Sequence, residues 1–125
     1  MVKEAYVSFE VAKLLKEKGF NEPTWTRYED DNEVIFGDKY DWNNSPMGQI
    51  SAPTHQMAMK WLRKEHNILL FLLPAQENGK LVYLVEVWTW NEEEGIYEST
   101  YAPMPRKEPE QAIGSELKYS LENLI

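Results

Sequence analysis

The chain has 125 residues, a net charge of −8, 42% apolar and 13% aromatic residues, and no cysteine. That usage suits one ordered domain with a real core and excludes disorder, disulfides and thiolate chemistry. The negative field repels phosphate backbones, no apolar run approaches the roughly 20 residues that cross a bilayer, and the charged opening MVKEAYVSFEVAK does not read as a secretory signal, so a cytoplasmic protein without a membrane partner is expected.

The first element is a helix. Ser8 precedes FEVAKLLKEK and Gly19 follows it, which supplies a side-chain cap at one end and a left-handed residue at the other. Phe9, Val11, Ala12, Leu14 and Leu15 form its apolar stripe, and Phe20 is placed to fold back on the last turn. TWTRY (24–28) and VIFGDKYDW (34–42) then read as a hairpin around EDDNE. NNSPMGQISAP (43–53) has the composition of a loop.

Thr54 caps a second helix, HQMAMKWLRKEH, which Asn67 ends. Met57, Ala58, Trp61 and Leu62 fall on its apolar side, with Lys60, Arg63 and Lys64 almost opposite. ILLFLL (68–73) and LVYLVEVWTW (81–90) pair as a second hairpin with PAQENGK as the turn, the latter strand covered on both faces; IYESTYA follows as a third strand. Pro109 opens a last helix in which Ile113, Leu117, Leu121 and Leu124 recur on one side. The order α-β-β-α-β-β-β-α defines a single α+β domain spanning 1–125, a mainly antiparallel sheet packed by helices.

Chemistry-bearing residues are few. His55 and His66 lie about 16 Å apart along one helix, at ~1.5 Å per residue, and cannot share a metal ion. The acidic run Glu29, Asp30, Asp31, Glu33 with Asp38 and Asp41 lacks the ligand order of a calcium loop. No GXSXG serine or glycine-rich phosphate loop is present. No metal or cofactor is therefore expected, and a small hydrolase built on His55 with Asp38 or Asp41 is the weakest reading.

Aromatic excess points elsewhere. Trp42, Trp88, Trp90 and Tyr97 are the candidate anchors of a protein-binding or homodimer face. The alternative is nucleic-acid binding through Lys60, Arg63 and Lys64, since the second half alone has the α-β-β-β-α order of a double-stranded-RNA-binding domain. Such domains use lysines at the start of their last helix, where this chain has Arg106 and Lys107 beside Glu108 and Glu110.

Three segments, YVSFEVAKLLKEKGF (6–20), APTHQMAMKWLRKEHNI (52–68) and AIGSELKYSLENLI (112–125), resemble a family of small uncharacterised proteins encoded in Bacteroides-type genomes, often in prophage or mobile-element neighbourhoods. The resemblance rests on Ser8-Phe9-Glu10, Ala52-Pro53-Thr54 and Trp61-Leu62-Arg63. It implies an accessory protein and transfers no catalytic residue. Protein contact is the leading functional expectation.

Overall fold

The computed structural model describes residues 2–29, 34–41, 43, 49–99 and 103–125, with the side chains of 38–41 outside that description. The class is α+β, and the described elements run α1 (Phe9–Glu17), β1 (Thr24–Tyr28), β2 (Val34–Asp41), β3 (Ile50–Ser51), α2 (His55–His66), β4 (Ile68–Glu77), β5 (Lys80–Asn91), β6 (Ile96–Glu98) and α3 (Pro109–Asn123). The order is the expected one with β3 added. Two compact units emerge, Met1–Ala58 and Met59–Ile125.

In the first unit, the Ser8 hydroxyl accepts the Val11 N–H at 3.2 Å, and Gly19 closes α1 at φ 98°. A side chain there would be strained, which is why glycine ends the helix. The Phe20 N–H bonds Leu15 O at 2.9 Å, and Phe20 is buried, as are Val11, Ala12 and Leu15 of the helix.

The first sheet has the order β2-β1-β3. β3 falls inside the stretch whose composition reads as a loop; it forms because Arg27 and Tyr28 pair with Ser51 and Ile50, a long-range contact invisible to local propensity. Buried Asn43 ties the region together, its Nδ2 donating to Phe20 O at 2.8 Å and its Oδ1 accepting the Ser51 N–H at 2.7 Å. Its side-chain amide supplies a donor and an acceptor at one site, a pairing that neither Asp nor Leu can supply.

Tyr28 packs edge-on to Phe9, with ring centroids 5.4 Å apart, and its hydroxyl donates to Val7 O at 2.6 Å. Burial raises the phenol above its ordinary pKa of 10.0. The neutral form is therefore favoured by folding: this stability is fully present below the unfolded-state value and is lost as pH rises through the folded one. Urea midpoints compared at about pH 8 and about pH 11 should fall more steeply for the parent than for Tyr28→Phe; parallel slopes would contradict this assignment.

The second unit is built on the sheet β4-β5-β6. β4 and β5 pair without a break from Ile68↔Thr89 to Glu77↔Lys80, so the strands run on past Leu73 and the turn shrinks to Asn78 and Gly79, at φ 53° and 75°. Both central residues take the left-handed region, the two-residue connection that matches strand twist. Pro74 is tolerated within the strand because β4 is at the sheet edge. Arg106 bonds both backbone groups of Tyr83 at 2.8 Å, an isolated bridge on β5.

α3 lies on β4 and β5. Ala112, Ile113, Glu116, Leu117, Ser120 and Leu121 are its buried residues, whereas Leu124 lies beyond the last turn and is exposed. Val85 and Val87 on β5 are buried. Asn67 ends α2 at φ 56°, with Ala58, Trp61 and Leu62 buried and Met57 on the margin at 37% exposure.

Candidate functional site

Alternation along paired strands sorts the second sheet into two faces. Leu70, Val85 and Val87 fall on one, with β4 and β5 packed under α3. Leu69, Phe71 and Leu73 of β4 fall on the other, opposite Trp88, Glu86 and Leu84 of β5, and Tyr97 of β6 joins them through its pairing with Trp90. The expected cover on both faces of β5 is lacking at Trp90, which is exposed on this one.

This second face is open. Phe71 is 45% exposed, Trp90 41% and Tyr97 42%, and a groove of about 490 Å³ is lined by Leu69, Phe71, Leu73, Glu86, Trp88 and Tyr97. The rings are interlocked: Phe71 meets Trp88 edge-on at 6.3 Å, and Trp90 meets Tyr97 at 4.9 Å. The Tyr97 hydroxyl donates to Asn67 Oδ1, while Trp88 Nε1 donates to Glu86 Oε1 at 3.3 Å. Among the described residues, Glu86 is the sole charged one lining the groove. Rings held by neighbours lose little freedom on contact, which favours them as anchors.

Of the expected anchors, Trp88, Trp90 and Tyr97 lie on this single face, and Trp42 lies outside the described residues. Phe71, Leu69 and Leu73 are not among the expected anchors, because a continuous apolar run such as ILLFLL marks neither face as the open one. Only the pairing register shows that alternate members point away from α3.

The other described candidates are not among the residues that line this groove. Lys60, Arg63 and Lys64 are exposed on α2, and Arg106, which precedes α3, donates from its guanidinium to Ser115 Oγ at 3.1 Å. His55 is buried at 7% exposure, its N–H held by Ala5 O at 2.9 Å. The side chains of Asp38 and Asp41, with Asp30, Asp31 and Glu33, lie outside the described residues, and Glu29 pairs with Arg27 at 2.9 Å. Among the described residues no three His, Cys, Asp or Glu side chains converge on a possible metal position, and no helix is long and apolar enough to cross a membrane.

No protein-family model, curated protein or solved structure shows a significant match to this chain. The surface therefore stands on its geometry.

Proposed function

We propose that the chain is a protein-interaction module whose working surface is the open face of the second sheet, and that it acts as a cytoplasmic accessory protein, a setting that its cysteine-free composition suits. The observation that carries this reading is the contiguity of Phe71, Trp88 and Tyr97 around one groove, with Trp90 packed against Tyr97. Interlocked, half-exposed aromatic rings with an apolar floor have the composition of an interface centre. Single exposed apolar residues occur on every protein, but a connected set on one sheet face is a cost in water that a partner removes.

The basic face of α2 is the weaker competitor. Three cations on a helix are an ordinary wet side, and the chain around them carries a net charge of −8.

A randomised twelve-residue peptide library panned on the immobilised chain tests the proposal. Enriched peptides should bind the parent, lose binding to the Phe71→Ser/Trp90→Ser chain, and change affinity by less than about tenfold between 50 and 200 mM salt. Phosphate-directed binding would instead fall by about 10³-fold or more if 6–10 phosphates were engaged. Absence of any enrichment that depends on Phe71 and Trp90 would overturn the reading.

A further inference from the structure

β4 is an edge strand of the second sheet, and contacts on β5 and at the turn fix its hydrogen-bonding phase. Tyr83 exchanges both backbone bonds with Arg106, so neither of its groups points toward β4, and its cross-strand neighbour Pro74 is a non-bonded partner. The two-residue turn gives the same phase independently, because Glu77↔Lys80 closes it as a bonded pair. Counting in twos, Leu69, Phe71 and Leu73 bond to β5, while Ile68, Leu70 and Leu72 turn their N–H and C=O groups outward.

Among the described residues no strand pairs with that outer edge, and Phe71, Leu72 and Leu73 are each 38–45% exposed. Pro74 has no N–H, and it occupies the next outward position. It therefore ends the usable edge on the turn side, as prolines on sheet edges do. What is left is the outward pair Leu70 and Leu72, since Ile68, the next residue in phase, is buried at 2% exposure; the run from Ile68 to Gln76 is uncharged, without the lysines that commonly guard an edge.

Charge selects the occupant. Glu86 is the charged residue of the groove, and it stands directly across from Phe71. Strands are spaced about 4.8 Å apart, so a strand added to β4 lies about 10 Å from β5. A Lys or Arg opposite Phe71 would point along the line from the added strand over the Phe71 ring to Glu86, its stem on apolar surface and its cation beside both ring and carboxylate. A second copy of the chain fits less well, because it brings a net charge of −8 and offers an uncharged β4 where Glu86 needs a cation.

We infer that the edge of β4 accepts an extended peptide segment by strand addition, with Leu70 and Leu72 supplying the backbone ladder and Glu86 selecting a Lys or Arg placed opposite Phe71. This inference rests on the interaction surface proposed above, and its failure can be told apart from failure of that surface. The peptides enriched on the full chain are synthesised and bound to it with amide exchange followed by NMR. Expected are a basic residue flanked by apolar or β-branched ones, slowed exchange at the Leu70 and Leu72 amides, and loss of the preference for Arg over Gln, about three- to fivefold for a partly exposed pair, in Glu86→Gln.

Peptides that depend on Phe71 and Trp90 yet carry no basic residue, or leave the Leu70 and Leu72 amides unprotected, overturn the strand-addition inference and leave the surface standing. Concentration-dependent protection of those amides without peptide, with dimers in sedimentation, overturns it in favour of a second copy. Absence of Phe71- and Trp90-dependent peptides overturns both.

Discussion

Leu117→Ala should lower the unfolding free energy by about 2–5 kcal/mol. Leu117 is fully buried on the inward side of α3, the helix that lies on β4 and β5. Removing its branched end forfeits transfer free energy and leaves a cavity that close-packed neighbours fill only in part. The exposed change Met104→Ala, at a side chain 63% exposed, should stay within about 0.5 kcal/mol. Guanidinium titrations followed by far-UV ellipticity compare the two, and equal midpoints would mean that α3 is not what holds this sheet.

The second large effect is on binding. Trp90→Ala should weaken an enriched peptide by about 30-fold or more, the scale of an aromatic hot spot at ≥ 2 kcal/mol. Stability should change much less, because Trp90 already exposes 41% of its surface. Isothermal titration of parent and variant reads the first quantity and thermal unfolding the second. The Lys60→Gln/Arg63→Gln/Lys64→Gln chain is the control and should bind as the parent does. A loss there with Trp90→Ala unaffected would move the working surface to α2.

Much of this architecture was readable from residues because the decisive signals were local. Ser8 and Gly19 bracket α1, Asn67 ends α2, and Asn78-Gly79 marks the hairpin turn; each acts through its own φ or its own side-chain oxygen. β3 was not readable, since two residues become a strand only by pairing with Arg27 and Tyr28. Pro74 signalled a turn when its edge position made it compatible with a strand.

The surface was legible in part for the same reason. Trp88, Trp90 and Tyr97 announce themselves by type, but Phe71, Leu69 and Leu73 join them only through the register of β4 on β5. A run such as ILLFLL has no polar residue to mark which face is wet. Glu116 is the converse case. Helical spacing places it between Ile113 and Ser120 on the buried side, although a carboxylate by type is seldom buried.

One experiment tests the central claim most directly: a ¹H–¹⁵N map of the full chain titrated with an enriched peptide. The account predicts that the indole signals of Trp88 and Trp90 and the amides from Leu69 to Leu73 shift together, with those of Lys60, Arg63 and Lys64 unmoved. Shifts confined to α2, or spread over the first unit with the Trp88 and Trp90 indoles silent, would contradict it.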